Sequence, residues 1–296
     1  MKFYTPTARK EYLRCPKRFY FRYLFKPEDP TEKEQHRSLR KLYGIRELAG
    51  HLIHGAIAGE VRAYADGNMW NYENAGKRCR ERFLDVVCRS YAEEPGVLLD
   101  DLQLAEAYNG CGIQELRDDI TFWRDVIPIM IENAWRACFT LGLQQSKSGY
   151  SLFAEHKVEH KIGDKTHHLV FDVMTQSSAR SMVIDWKTHE IDNEDIYQVQ
   201  RYLRCLHETQ GIPTLRLFGF AVNLLTEEIT SITYNPFPQS TGGYSALAQR
   251  AQSTRVTTQD PYHASPHVSL CRRCPYAALC PDRVTSVLPE FDALAA

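Results

Sequence analysis

Phe171-Asp172, then Met182-Val183-Ile184-Asp185-Trp186-Lys187, then Gln198-x-x-x-Tyr202 is the stretch on which the fold turns. In an extended strand, residues two apart share a face, so Asp185 and Lys187 project together while Met182, Ile184 and Trp186 point to the other side. One face is expected to be chemical and the other core. A turn around Gln176-Ser177-Ser178-Ala179-Arg180 would fold the two strands into a hairpin and set Asp172 beside Asp185. Two carboxylates on adjacent strands suit Mg²⁺ or Mn²⁺, hard cations that keep waters for a substrate phosphate. Lys187, beside such an ion, can orient or help deprotonate an attacking water. The alternative for Asp185 and Lys187 is a solvated polar face carrying a surface ion pair.

Working outward, the sequence takes a period of two from residue 151, which predicts strands over 152–162, 167–174 and 181–188. Gly163-Asp164 marks the first turn. A helix over 193–209, a strand over 214–224 and a fifth strand over 229–234 follow. Glu155, on the first strand, is either a third carboxylate of the site or a surface glutamate. Upstream, residues 43–64 have a helical pattern with Ile45, Leu48, Ala49, Leu52, Ile53, Ala56 and Ile57 on one side. His51 and His54 fall within one turn of it. Residues 67–146 have the pattern of a helical block with acidic patches at Glu93-Glu94, Asp100-Asp101 and Asp118-Asp119. That block carries no chemistry and is expected to be an insertion that shapes an entrance or meets a partner. Residues 27–42 have the composition of a loop or connector, and 235–265 that of a surface linker.

The two ends of the chain pose a separate question. The first 26 residues hold eight Lys or Arg against one acid, Glu11, with Tyr12, Phe19, Tyr20, Phe21 and Tyr23 interleaved. Cations for phosphates and rings for bases suit a nucleic-acid strand. An amphipathic helix with core aromatics and solvated cations has the same pattern. Thr7 is a candidate N-cap, and Pro16, after Cys15, would bend or start a helix. Near the other end, Cys271-x2-Cys274-x5-Cys280 has metal-ligand spacing but offers three thiols where a closed tetrahedral site needs four. Cys15 is the candidate fourth, and structural Zn²⁺ or an iron–sulfur cluster fits a cysteine-only set. Either would clasp the chain ends together.

The 296 residues, 43% of them hydrophobic, allow one large domain or two small ones. A net charge of −1 excludes a globally basic nucleic-acid binder, so any such surface is local. No apolar run is long enough to span a bilayer and the N-terminus has no signal-peptide pattern, which predicts a cytoplasmic protein with no membrane partner. Nine cysteines in a reducing compartment are not expected to form a disulfide framework.

Taken in order, the helix with His54, the strand with Asp172, the strand with Asp185-Trp186-Lys187 and the helix with Gln198 and Tyr202 resemble the PD-(D/E)XK nuclease superfamily in its RecB-like branch. The early Cys15-Pro16 and the late cysteine triplet resemble the subset with an iron–sulfur cluster, the RecB-like nucleases of CRISPR systems and AddB-type recombination nucleases. The resemblance implies an α/β (α+β) restriction-endonuclease-like αβββαβ core over 43–66 and 151–234, with a mixed central sheet. To this are added the helical insertion at 67–146 and the cysteine clasp of 1–26 with 266–283. It further implies His54, Asp172 and Asp185 as ligands of Mg²⁺ or Mn²⁺, Lys187 on the nucleophilic water, and Gln198 and Tyr202 orienting the site or the strand. Cys15, Cys271, Cys274 and Cys280 would hold a [4Fe–4S] cluster, with Zn²⁺ as the alternative. The implied activity is a metal-dependent DNase, an exonuclease before an endonuclease, on single-stranded DNA or DNA ends. Its implied setting is a CRISPR adaptation, recombination or phage-defence complex. A non-catalytic DNA-end-binding adaptor is the rival. Two departures from the pattern stand out: Val170 where a glycine is common, and Asp185 in place of glutamate, which is normal in this branch.

Overall fold

The computed structural model describes residues 11–12, 14–143, 150–162, 165–234 and 267–283. Thr7 with its neighbours Lys2, Arg9 and Lys10, the turn at Gly163-Asp164 and the linker over 235–265 lie outside the described residues. Helices are α1 (Pro16–Phe19), α2 (Pro30–Leu39), α3 (Ile45–Ala65), α4 (Tyr72–Ala92), α5 (Ala105–Tyr108), α6 (Arg117–Thr140), α7 (Asn193–Gln210) and α8 (Val268–Arg272). Strands are β1 (Leu42–Tyr43), β2 (Gln103–Leu104), β3 (Tyr150–Ile162), β4 (Lys165–Ser177), β5 (Ser181–Lys187), β6 (Leu217–Asn223) and β7 (Ile229–Ile232). Contacts divide the chain into a first unit of 1–48, 85–120 and 242–296 and a second of 49–84 and 121–241. The helices of 67–146 are thus shared out between the two units.

The second unit is built on a five-stranded mixed sheet ordered β3-β4-β5-β6-β7. Strands β3, β4 and β5 pair antiparallel, β5 and β6 parallel, and β6 and β7 antiparallel. A parallel pair needs a crossover, and α7 supplies it. That helix begins where the sequence offers a capping box, Asp192 accepting from the Asp195 amide, and stops at Gly211, whose φ of 65° is left-handed. Its apolar stripe of Val199, Leu203 and Leu206 is buried with Phe171, Met174 and Val183 of the sheet. Each such side chain contributes about 1.5–3 kcal/mol through burial. The β4–β5 hairpin closes as expected, the Ser177 amide donating to the Arg180 carbonyl at 2.9 Å.

Two expectations about this sheet need correction. All of Ser181–Lys187 is buried, so the face bearing Asp185 and Lys187 is no solvated one; Val183, on that same face, joins the core against α7. The alternation of β3 and β4 is also not uniform. Phe153 and Val158, of opposite parity, pack on the same core, as do Phe171 and Met174. Between them Glu155 has a φ of 49°, and the register places it opposite Asp172. One left-handed residue shifts the side-chain pattern by one, which strict period-two reasoning does not anticipate.

In the first unit, Phe21, Leu39, Leu42, Ala105, Tyr108 and Tyr276 form the core. Residues 27–42 are not a connector: Asp29 caps α2 by accepting from the Thr31 and Glu32 amides, and Pro30 starts the helix. Cys15 sits at the N-cap of α1 with Pro16 at its first position, after which the chain continues in a π turn to Leu24. The basic aromatic segment is largely internal. Phe19 and Phe21 are buried, Arg18 pairs with Glu11 and with Glu47 at 2.6 Å, and Arg22 pairs with Glu11 at 2.9 Å. Arg272 pairs with Glu115, and Arg273 with Asp119 at 3.0 Å. Arg18, Arg22, Arg272 and Arg273 are therefore already neutralised within the unit, and the amphipathic alternative describes the aromatics better.

Candidate active site

The second unit brings Asp172, Asp185, Lys187, Gln198, Tyr202 and His54 together. Asp172 and Asp185 fall opposite each other on β4 and β5, one step past the last backbone pair Val173 and Ile184. Asp172 Oδ2 accepts from the Trp186 amide at 2.8 Å, and its Oδ1 is 3.3 Å from His54 Nδ1 on α3.

Lys187 Nζ lies 2.6 Å from Asp185 Oδ2 and 3.3 Å from Asp195 Oδ1, and donates to Gln198 Oε1 at 3.3 Å. Because an ammonium only donates, the Gln198 oxygen faces it, and the Gln198 nitrogen donates to Asp185 Oδ1 at 3.1 Å and to the Tyr202 hydroxyl at 2.5 Å. Gln198 and Tyr202 share a face of α7 by their spacing of four. The Tyr202 ring lies 4.7 Å from that of Phe171. Glu155 is elsewhere engaged, paired with Arg62 and with nearly half of its side chain exposed.

Burial disfavours every charge here, and the neighbours decide the outcome. For Asp172, His54, the Trp186 amide and Lys187 outweigh burial and bring the pKa below the usual carboxylate range. Asp185 is raised to about 6, because burial and the Asp172 charge exceed the pull of Lys187 and His54. Burial would lower Lys187, but Asp185 and Asp195 hold its ammonium above the ordinary lysine value. His54 is likewise raised, Asp172 and Asp185 overcoming burial. The Asp185 side chain is 2% exposed whereas Asp172 and His54 retain 20% and 30%, so the cluster opens to solvent on the His54 side.

The model of the PD-(D/E)XK nuclease superfamily matches residues 4–281. The chain belongs to that superfamily. No curated protein matches it. Among solved structures it is similar to SSO0001, at 16% identity and a TM-score of 0.29 over 58% of this chain and 81% of that one. It is also similar to VC1899 from Vibrio cholerae, at 12% identity and a TM-score of 0.27 over 80% of this chain; it spans about half of that protein, 54%. The mixed sheet and its helices agree with the restriction-endonuclease-like fold of the PD-(D/E)XK nucleases, whose members use divalent metals. The donor set fits one: imidazole and carboxylate oxygens suit Mn²⁺ or Mg²⁺, and Asp185 Oδ2, buried, has no hydrogen-bond partner despite its nearness to Lys187. A cation between the two acids would relieve the repulsion that raises Asp185.

Sequence reasoning passed over Asp195, which is buried and touches Lys187. Its only sequence signal is the Asp192-x-x-Asp195 capping box. Among the described residues, one group of three His, Cys, Asp or Glu places its ligand atoms within 4.8 Å of one another, His189, Asp192 and Asp195. Each of these aspartates accepts from the other's amide, and Asp195 already holds Lys187, so the trio is a helix cap with a histidine on it. In the first unit, Cys15 and Cys280 lie close enough to Cys274 for their charges to bear on it, as Cys15 and Cys271 do on Cys280. Asn109 fixes the loop between, donating to the carbonyls of Arg272 and Cys274. No helix among the described residues is long and apolar enough to cross a membrane.

Proposed function

We propose that the chain is a divalent-metal-dependent DNA nuclease of the RecB-like kind that hydrolyses phosphodiester bonds in single-stranded DNA or at DNA ends, as an exonuclease. The observation that carries this reading is the convergence of Asp172, Asp185 and Lys187 beside His54. His54, Asp172 and Asp185 hold the ion, which when bound supplies a polarised phosphate and a water of lowered pKa. Lys187, held among Asp185, Asp195 and Gln198, presents a fixed positive charge to the phosphate oxygens as negative charge develops there. Gln198 and Tyr202 fix Asp185 and Lys187 relative to each other. The test is digestion of end-labelled single- and double-stranded DNA with Mg²⁺, Mn²⁺ or EDTA. Cleavage is expected with metal, and to be lost in EDTA and in Asp185→Ala and Lys187→Ala. Full activity in both variants rejects the assignment.

Cys15, Cys271, Cys274 and Cys280 hold a [4Fe–4S] cluster in this reading. What supports it is the neighbourhood of the thiols: Cys15 and Cys280 act electrostatically on Cys274, and Cys15 and Cys271 on Cys280. Protein purified without oxygen is expected to be brown, with stoichiometric iron and acid-labile sulfide; stoichiometric zinc without iron overturns this assignment.

A second reading, a DNA-end-binding adaptor within a CRISPR adaptation, recombination or phage-defence complex, is favoured by the ion pairing of Arg18, Arg22, Arg272 and Arg273. Such a chain would rely on a partner for phosphate contacts. The digestion series separates the two, since an adaptor binds labelled ends without cutting them.

A further inference from the structure

Asp195 is the one buried acid around Lys187 to which neither the metal nor the core gives a role. It is 1% exposed, a burial that helix capping does not require. Glu115, which likewise accepts from the amide three residues before it, that of Gly112 at 3.0 Å, has a side chain 46% exposed. Capping uses only one oxygen: Asp195 Oδ2 accepts from the Asp192 amide at 3.0 Å and lies 3.2 Å from His189 Nε2. Those two contacts fix the carboxylate and direct Oδ1 to Lys187 Nζ.

We propose that Asp195 is the positioning residue for Lys187, an inference that rests on the nuclease reading. Asp185 Oδ2 lies 2.6 Å from Lys187 Nζ without a hydrogen bond to it, and in the nuclease reading Asp185 is a ligand of the metal. A carboxylate drawn onto a cation loosens its hold on the ammonium. Asp195, anchored to the α7 N-terminus by the Asp192 amide, retains Lys187 together with Gln198 while Asp185 is engaged. Lys187 thereby keeps its place relative to the phosphate through the reaction, where a displacement of 1 Å costs about 10²-fold in rate.

The experiment compares the full chain with Asp195→Asn and Asp192→Ala. Asp192→Ala removes the cap on the Asp195 amide but leaves the Asp195–Lys187 contact. Three quantities are read: Mn²⁺ binding by calorimetry, single-turnover cleavage of end-labelled single-stranded DNA, and the ¹⁵N resonance of the Lys187 ammonium. Asp195→Asn is expected to bind Mn²⁺ as the wild type does, to cleave about 10²-fold more slowly with KM little changed, and to lose the sharp ammonium resonance. Asp192→Ala is expected to melt earlier and to keep wild-type turnover and resonance. The proposal is overturned if Asp195→Asn cleaves at the wild-type rate, or if Asp192→Ala loses as much. Should the wild type not cleave DNA at all, the nuclease reading fails, and the resonance still decides: unchanged in Asp195→Asn, it refutes the positioning role, and lost, it supports it. If Asp195→Asn does not fold, Asp195→Ser is read in the same way.

Discussion

The main-chain amide of Trp186 donates to a side chain, Asp172 Oδ2, at 2.8 Å. The β4–β5 ladder runs from Gln176 and Ser181 to Val173 and Ile184, and beyond it the carboxylate stands in for a strand carbonyl. One oxygen of Asp172 is thereby structural and the other is left beside His54.

Asp172→Asn keeps an oxygen for this amide, whereas Asp172→Ala leaves a buried N–H unpaired at a cost of about 1–3 kcal/mol. Urea unfolding is expected to find the alanine variant less stable than the asparagine variant by that amount. Equal stabilities would show that the Trp186 amide has another acceptor.

Asp185 is raised from the ordinary 3.8 to about 6, so folding favours its protonated form. Its stability contribution is fully present below pH 3.8, is lost as pH rises to about 6, and stays lost above that. Asp185→Asn, neutral throughout, is therefore expected to melt higher than metal-free wild type at pH 8, with the gap closing towards pH 4. Melting curves across that range check the sign, and Mn²⁺ is expected to raise the wild type but not the variant. A gap that widens on acidification would contradict the direction of the shift.

Glu155, left-handed and paired with Arg62, is expected to matter for its backbone and not for its charge. Glu155→Gly is expected to keep stability and Mn²⁺ affinity. Glu155→Val, β-branched and forced into the same conformation, is expected to be less stable than the wild type in denaturant unfolding. Loss of Mn²⁺ binding in the glycine variant would restore Glu155 as a third carboxylate of the site.

These contrasts trace what the sequence could reveal. Strands β3 to β6, α7 and the convergence of Asp172 with Asp185 follow from period-two runs, a cap and a hairpin turn, all of them local. The place of Glu155 depended on a backbone angle that no residue type announces, a glutamate being an unusual choice for it. Asp195 was hidden because its cap role is complete in sequence terms and its contact with Lys187 is tertiary. The basic arm misled because pairing of Arg18 with Glu47 spans 29 residues. Helix α2 was missed although Asp29-Pro30-x-Glu32 is a recognisable start signal.

Gly219 on β6 lies tight against α7, as a Cβ there would lie 2.5 Å from Val199 Cγ1 and 2.9 Å from Leu203 Cδ1. Gly219→Ala is expected to destabilise by about 1–3 kcal/mol through overpacking. By tilting α7 it should also weaken the Gln198 contacts to Asp185 and Lys187. Thermal unfolding checks the first effect and cleavage rate the second. An unchanged melting temperature would mean that the helix moves aside freely.

The account depends most on His54, Asp172 and Asp185 holding one divalent ion. Calorimetric titration of the full chain with Mn²⁺ tests this directly. One ion per chain is predicted at this site, with binding lost in Asp172→Asn and in Asp185→Asn. Absence of binding in the wild type, or undiminished binding in both variants, would contradict it.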